Sequence, residues 1–272
     1  MTNNWQNNVL TIHNSDLGKF KECEVLFNEA FINGMRPSAN KYTVFGNTIH
    51  TLLENFYDHF SLAKMLNEFP TLFESYLLKY NVTITLKEKI NFLTEAREML
   101  TNFYNLESSR GRLKFVKDRE IQFNFPYKKI KDVDVILGGT IDKISDNSVW
   151  DYKTNRRKYT IDPSDSQMVI YSLAYKNMNG ILPEKGVFVF VKNGSEYVFP
   201  MNDYSFQNLD DKLNKVVDFL VSKRDPIPNL ESCGRCGLRQ TCKHYKPVMK
   251  PRAKVGRLYI NTMRDRLENS IL

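Results

Sequence analysis

The stretch 138–171 constrains this chain more than any other, because it places charged side chains on two short segments that look like β-strands. Residues 133–137 and 140–144 have the pattern of extended segments, and 149–154 alternates apolar and polar residues, as strands do. The turn-forming sequence Asp-Asn-Ser at 146–148 separates them. The pattern predicts a β-hairpin with Asp142 on its first strand and Asp151 and Lys153 on its second.

The three charged side chains of this hairpin would share one small volume. Residues two apart on a strand point to the same face, so Asp151 and Lys153 project together towards the strand that bears Asp142. Two carboxylates at that range repel each other in a poorly solvated site unless a divalent cation lies between them. Oxygen ligands suit Mg²⁺ or Mn²⁺ better than zinc. The alternative is a surface hairpin with solvated charges, because an isolated Asp-x-Lys tripeptide is common.

Further motifs accompany the hairpin in a fixed order. A Gly-x-x-Asp segment ends at Asp142, Asp-x-Lys follows at 151–153, and a Gln-x-x-x-Tyr segment comes next. Upstream, the sequence GNTIHTLLE at 46–54 places a histidine on a predicted helix. This series resembles the PD-(D/E)XK nuclease superfamily, and in particular its RecB-like exonuclease branch. The residues on which the resemblance rests are Gly139, Asp142, Asp151, Lys153, Gln167, Tyr171 and His50.

The resemblance implies an α/β fold and a metal-dependent site. It predicts a restriction-endonuclease-like core, in which a central mixed β-sheet is flanked by helices, with an additional helical N-terminal part. Asp142 and Asp151 would hold Mg²⁺ or Mn²⁺, and His50 and the backbone carbonyl of Tyr152 would be further ligands. Lys153 would position the attacking water or stabilise the charge that builds on the transition state.

Three more residues have roles by the same resemblance, and each has a plain structural alternative. Gln167 and Tyr171 would orient the catalytic lysine and the nucleic acid. Gln167 is also spaced as the capping-box partner of Ser164, and Tyr171 could instead be a core residue. Glu120, on a predicted strand at 115–125, is either an accessory site residue or a surface acid.

All four cysteines are predicted to form one site. Cys233, Cys236 and Cys242 make a C-x2-C-x5-C cluster near the end of the sequence, and Cys23 lies near its start. Four thiolates satisfy either a tetrahedral zinc ion or an iron–sulfur cluster, and His244 is a less favoured replacement ligand. The split of one early and three late cysteines resembles the iron–sulfur staple of RecB-like nucleases. That resemblance implies a structural [4Fe-4S] cluster, with zinc as the alternative.

Charge and hydropathy favour a protein that binds a polyanion and argue against a membrane protein. The 272 residues include 39 Lys and Arg against 31 Asp and Glu, a net charge of +8 that suits a polyanionic partner such as DNA. Basic clusters occur at 110–117, 156–158 and 243–257. No apolar run approaches the roughly 20 residues of a membrane span, and the first residues lack the pattern of a secretory signal. We therefore expect a cytoplasmic protein, in a prokaryotic or phage-infected cell, with no membrane partner.

The order of elements favours one interrupted domain over residues 1–272. A helical N-terminal part and insert would occupy about 15–105, the catalytic core about 113–225, and a cysteine loop with a basic tail about 226–272. Within the helical part, Ser15 is the predicted N-cap of the first helix, Cys23 lies in that helix or at its break, and Pro70 is expected to interrupt a later one.

The function predicted from these features is metal-dependent hydrolysis of DNA from a free end, in recombination, repair or phage DNA metabolism. The sequence has no P-loop motif, so any helicase or recombination function would come from a partner protein. The first alternative is a nucleic-acid-binding protein that has kept the fold and lost activity. The second is a zinc-stapled protein-interaction module in which the acids are incidental.

Overall fold

A mixed β-sheet of seven strands runs through the part of the chain that the computed structural model describes, namely residues 5–35, 38–113, 116, 118–155, 166–201 and 204–245. Helices pack on both faces of this sheet. The predicted α/β class, with a central mixed sheet flanked by helices, is therefore confirmed. Ser164, the basic cluster 156–158 and the basic tail from 246 onwards lie outside the described residues.

The strands follow the order β1-β2-β4-β5-β6-β7, with β3 paired to β4. The β2–β4 and β5–β6 pairs are parallel, and the other pairs are antiparallel. The strands are β1 Trp5–Gln6, β2 Val9–His13, β3 Arg119–Ile130, β4 Val133–Ser145, β5 Ser148–Lys153, β6 Lys185–Phe190 and β7 Ser195–Pro200.

The helices fall into a group near the N-terminus and a pair after the hairpin. They are α1 Asn14–Glu22, α2 Glu24–Phe27, α3 Lys41–Phe56, α4 Leu62–Lys79, α5 Leu86–Ser109, α6 Ser166–Asn179 and α7 Tyr204–Ser222. A π-helical turn, Asn28–Ile32, continues α2, and a short 3-10 helix, Leu230–Arg235, begins the cysteine loop.

Two apolar cores lie on opposite sides of the sheet, as the alternation along β5 illustrates. Val149 belongs to the first core, with residues of α1, α6 and α7. Trp150 and Tyr152 belong to the second core, formed with α3, α4 and α5. Because residues two apart on a strand share a face, a six-residue strand can serve both cores. The second core takes its sheet residues from β5 and β6.

Strand β4 changes partners halfway along one edge. It pairs with β2 as far as Gly138 and with β5 from Lys143 onwards, while β3 follows its other edge. Asp142 lies just before the residues of β4 that pair with β5, and its side chain also contacts β5. The backbone N–H of Tyr152 on β5 donates to Asp142 Oδ2 at 2.7 Å. The site described below is built around this change of partner.

Two local predictions in the helical part are wrong. His13, not Ser15, is the N-cap of α1, because the Asp16 carboxylate accepts the His13 backbone N–H at 3.1 Å and the helix begins earlier. Helix α4 continues through Pro70 rather than stopping there. Apolar residues on both sides of the proline, including Phe69 and Phe73, are buried in the second core, and their burial outweighs the lost hydrogen bond. The break at Cys23, where the backbone is extended, agrees with the prediction.

Candidate active site

Three side chains from different elements meet near the change of partner on β4. His50 is on α3, Glu120 is on β3 and Asp142 is on β4, and one ligand atom from each lies within 4.8 Å of the other two. His50 Nδ1 is 3.7 Å from Asp142 Oδ2. Among the described residues this is the group of histidines, cysteines and acids with the spacing of a metal site. We call it the metal-ligand group.

Helix α3 reaches this position because a glycine lets it approach β5 closely. Asn40 caps the helix by accepting the backbone N–H groups of Tyr42 and Thr43. One turn further on, a Cβ added to Gly46 would lie 3.3 Å from Thr154 Oγ1, just past the end of β5. A side chain at position 46 would therefore be in tight contact with Thr154, which would have to shift slightly to make room. His50 lies one turn beyond the glycine on the same face, so it points towards the hairpin.

Glu120 reaches the group through an unusual backbone conformation. Arg119 pairs with Lys143 and Ile121 with Ile141, so Glu120 lies across from Asp142. Its φ angle is +48°, in the left-handed region that non-glycine residues rarely adopt. Such a conformation costs roughly 1–3 kcal/mol and tends to persist where a site requires it. What places Glu120 in the group is the distance of its carboxylate from the ligand atoms of His50 and Asp142.

Asp151, Lys153, Gln167 and Tyr171 form a second group joined to the first. Lys153 Nζ lies 2.7 Å from Asp151 Oδ2 and donates to Gln167 Oε1 at 2.6 Å. Gln167 Nε2 donates to Asp151 Oδ1 at 2.6 Å and to the Tyr171 hydroxyl at 3.0 Å. The Gln167 amide therefore fixes the lysine and the aspartate relative to each other. Asp151 does not belong to the metal-ligand group itself.

The carboxylates of the site are buried and lie close enough together to repel one another. Burial, and then repulsion from Asp151, raises the pKa of Asp142 well above its usual range. Burial, followed by repulsion from Glu54 and Asp151, raises the pKa of Glu120. Burial and the Lys153 ammonium lower the pKa of His50 to about 4, which leaves its imidazole neutral and able to bind a metal at neutral pH. A divalent cation would relieve this repulsion, so the donor set fits Mg²⁺ or Mn²⁺.

Metal binding is expected to weaken as the pH falls. Because its pKa is raised, Asp142 keeps its proton to a higher pH than an ordinary aspartate does. A metal that binds to Asp142 must displace this proton. His50, with a pKa of about 4, stays neutral and does not contribute to the change. Mn²⁺ should therefore raise the unfolding temperature strongly at about pH 7.5 and weakly at about pH 5.5. Equal shifts at both pH values, measured by differential scanning fluorimetry, would contradict this.

The side chain of Tyr152 points away from the site, into a buried polar network. Its hydroxyl is 2.8 Å from that of Tyr57, which donates to Glu107 Oε2 at 2.9 Å. Lys143 Nζ donates to the Tyr57 hydroxyl at 2.8 Å and lies 3.4 Å from Glu107 Oε2. Lys143 and Glu107 are 1% and 0% exposed. This network holds β5 on the face opposite the site, while the Tyr152 backbone forms hydrogen bonds with both Asp142 and His50.

Replacing Lys143 by methionine should lower the free energy of unfolding by about 3 kcal/mol, because it leaves the Glu107 carboxylate buried without its lysine. Arg112 Nε, 3.4 Å from Glu107 Oε1, keeps the loss near the low end of the range for broken buried pairs. Replacing both Lys143 and Glu107 by methionine should recover most of it. Urea unfolding measures both, with exposed Lys185→Met as the control. A single variant as stable as its control would be the contrary result.

The structure brings together most of the residues that the sequence singled out. His50, Asp142, Asp151, Lys153, Gln167 and Tyr171 meet at one end of β5, and the backbone of Tyr152 lies among them. Glu54 was not predicted as part of the site, although it raises the pKa of Glu120 and so lies near it. Its position four residues after His50, on the same helical face, was the signal that could have identified it.

The four cysteines line one cavity, separate from the metal-ligand group. Cys23 lies at the break between α1 and α2, and its sulfur accepts the Asn229 backbone N–H at 3.4 Å. Burial raises the pKa of Cys236, and Cys23 and Cys242 add to the rise, so these thiols are neighbours. The side chain of Asn229 also donates to the Glu22 carbonyl. Helix α1 and the C-terminal loop are therefore held together around the thiols. His244 lines the same cavity.

Comparisons with known proteins agree with this geometry. A family model described as the PD-(D/E)XK nuclease superfamily matches residues 14–243. No curated protein matches the sequence. A solved structure described as "Crystal structure of SSO0001" is 12% identical, and the alignment covers 78% of this chain and 88% of that one with a TM-score of 0.33. At that TM-score the likeness supports no conclusion about this chain.

Two further findings bear on its class. Within the described residues, none of the helices is long and apolar enough to pass through a membrane. The mixed seven-stranded sheet flanked by helices is consistent with the restriction-endonuclease-like fold. Since the family model spans well over half of the sequence, this chain belongs to the PD-(D/E)XK nuclease superfamily.

Proposed function

We propose that this protein is a Mg²⁺- or Mn²⁺-dependent DNA exonuclease of the RecB-like branch. The observation that supports this best is the metal-ligand group of His50, Glu120 and Asp142, set beside a lysine that Gln167 and Asp151 hold in place. Carboxylates and a neutral imidazole can hold a divalent cation, and a fixed ammonium can stabilise negative charge on a phosphate, so the group suits phosphodiester hydrolysis.

Each part of the site has a role in this proposal. His50, Glu120 and Asp142 would hold the metal, with the Tyr152 carbonyl and Asp151 as further ligands. Asp151 stays in the set because its charge acts on both Asp142 and Glu120. When bound, the metal polarises the scissile phosphate and lowers the pKa of a bound water. Lys153 presents its ammonium at a fixed point, where it can orient that water or stabilise negative charge on the phosphate.

The preference for free DNA ends rests on the resemblance of the segment 46–54 to the RecB-like histidine motif, which accompanies exonucleases. The net charge of +8 supports a nucleic-acid substrate. From the sequence alone, we also propose that residues 1–272 form one nuclease domain and act in the cytoplasm, in recombination, repair or phage DNA metabolism, beside a recombination or helicase partner.

We further propose that Cys23, Cys233, Cys236 and Cys242 hold a structural [4Fe-4S] cluster. The four cysteines line one cavity, so they can share one site. The choice of a cluster rests on the resemblance of one early and three late cysteines to the iron–sulfur staple of RecB-like nucleases, and zinc remains the alternative.

End-labelled DNA tests the proposed activity. Single and double strands, with free or blocked ends, are incubated with the protein and Mn²⁺, and product length is followed over time. We expect stepwise shortening from free ends that stops when the metal is chelated. Equal cutting of blocked and free substrates would replace exonuclease with endonuclease. A parent protein that leaves every substrate intact would remove the nuclease assignment.

A further inference from the structure

The uncovered side of β3 and β4 leads directly into the metal-ligand group. Two cross-strand pairs follow one another along these strands, Asn124 with Gly138 and Gln122 with Thr140. Glu120 and Asp142 of the metal-ligand group come next along the same two strands. These two pairs are two residues apart, about 6.6 Å along the strand, so the side chains of Asn124, Gln122 and Thr140 lie on one face. The second core, which covers this side of β5 and β6, takes no residue from β3 or β4 among those described.

The row forms an open polar groove of about 390 Å³ lined by His13, Gln122, Phe123, Asn124, Gly139 and Thr140. Gly138 lies at the base of one end. A Cβ added there would lie 2.3 Å from Asn124 Oδ1 and 2.9 Å from His13 Nε2, so both polar side chains rest directly over the glycine backbone. Gln122 and Asn124 are exposed to solvent. The groove thus presents hydrogen-bonding groups on an otherwise flat stretch of sheet.

The orientation of His13 is fixed by a chain of contacts that the catalytic site does not use. Its Nδ1 is 3.3 Å from Asp16 Oδ2, and the backbone N–H of His13 donates to the same oxygen. Lys19 donates to the other oxygen of Asp16 at 2.7 Å. Asp16 is only 6% exposed, so this arrangement is anchored. With Nδ1 held, Nε2 is the ring nitrogen left to face the groove, where it can accept a hydrogen bond from a hydroxyl.

We propose that this groove, the β3–β4 platform, holds the sugar–phosphate backbone of the substrate strand on one side of the scissile phosphate. Amide and hydroxyl side chains such as those of Gln122, Asn124 and Thr140 are typical phosphate and sugar contacts. They are uncharged, so they can sit beside the carboxylates of the metal-ligand group without neutralising them. The spacing of the pairs is comparable to that of successive phosphates in an extended strand. The platform would therefore bind about two nucleotides.

This inference rests on the proposed function, because it assigns the platform to the substrate of that site. A nucleic-acid strand is the occupant that fits, since the platform is continuous with the metal-ligand group and carries polar groups. An apolar partner surface would leave the exposed amides of Gln122 and Asn124 without hydrogen-bond partners.

The test is binding of a fluorescent single-stranded oligonucleotide in EDTA, where no cleavage occurs, by the full chain and by Gln122→Ala/Asn124→Ala. Loss of two hydrogen bonds should weaken binding roughly 30-fold. The slope of log affinity against log salt should not change, because no cation is removed. The matched control is Asn67→Ala/Gln207→Ala, which deletes the same side-chain types from exposed positions on α4 and α7. It should bind like the parent.

Two outcomes would overturn the platform. One is binding by the double variant within twofold of the control, and the other is an equal loss in the control. If the double variant unfolds at a lower temperature than the parent, Thr140→Val is tested in its place. It removes one hydroxyl and should still weaken binding several-fold. Hydrolysis of bis(p-nitrophenyl) phosphate by the parent with Mn²⁺ tests the proposed function separately, because so small an ester does not reach along the platform.

Discussion

Replacing Asp142 by asparagine is expected to slow metal-dependent DNA hydrolysis by roughly 1000-fold, which corresponds to about 4 kcal/mol of activation free energy. The change keeps the shape of the side chain and removes one charge from the metal-ligand group. Without the Asp142 charge, the remaining ligands would hold a cation less well, and a bound cation would polarise the phosphate less. Initial rates on end-labelled DNA at saturating Mn²⁺ measure the effect.

The unfolding temperature of Asp142→Asn should not fall, although its activity does. This difference separates a functional role for Asp142 from a structural one. The raised pKa of Asp142 shows that its charge is unfavourable in the folded protein without metal. The asparagine variant should thus unfold at the same temperature as the parent, or higher, when metal is absent. Its control is Asp134→Asn, an exposed aspartate on the same strand. Parent-like activity in Asp142→Asn would exclude Asp142 from the mechanism.

Lys153→Ala tests the neighbouring group. Its ammonium contacts Asp151 and Gln167, so its loss should abolish hydrolysis while metal binding by His50, Glu120 and Asp142 persists. Mn²⁺ should still raise the unfolding temperature of this variant, whereas it should do so weakly in Asp142→Asn. If both variants lose the Mn²⁺ effect equally, the lysine and the ligand group are not separable as proposed.

The sequence predicted the parts of this site that lie close together in the chain. The hairpin that bears Asp142 and Asp151 follows from strand alternation and turn residues over fewer than twenty positions. Gln167 and Tyr171 follow from helical spacing. His50 could be assigned by motif resemblance, although the approach of α3 to β5 depends on the fit of Gly46 against Thr154.

Features that depend on distant contacts were beyond the sequence. Glu120 was named as an accessory site residue or a surface acid, and strand periodicity could not decide between these because it predicts neither the positive φ angle nor the distance to His50. Lys143 reads as an ordinary strand lysine, and it is buried only because Glu107 and Tyr57 arrive from two other helical segments. Pro70 was expected to interrupt a helix because local propensity favours a break there, and burial of its neighbours in the second core reverses the preference.

Substituting serine for Cys23 is expected to lower the free energy of unfolding by roughly 5 kcal/mol, if the four cysteines hold a cluster. Linking Cys23 to Cys233 closes a loop of about 210 residues, and a crosslink over such a loop removes that much conformational entropy from the unfolded chain. The effect should appear in urea unfolding, together with loss of iron and of the absorbance near about 400 nm.

The remaining contacts between α1 and the cysteine loop are too weak to compensate for a lost cluster. Among the described residues they include hydrogen bonds from Asn229 and Ser232 to the Glu22 carbonyl. Glu24, at the start of α2, adds a hydrogen bond from the Ile227 backbone N–H and an ion pair with Arg224, and all these contacts are at the surface. Each contributes about 1 kcal/mol or less. Gln240→Ala, an exposed change in the same loop, is the control and should leave iron content and stability unchanged. Parent-like stability and metal content in Cys23→Ser would show that Cys23 is not a ligand. If the parent protein holds zinc in place of iron, the crosslink would still stabilise the fold, but the metal site would be a zinc site.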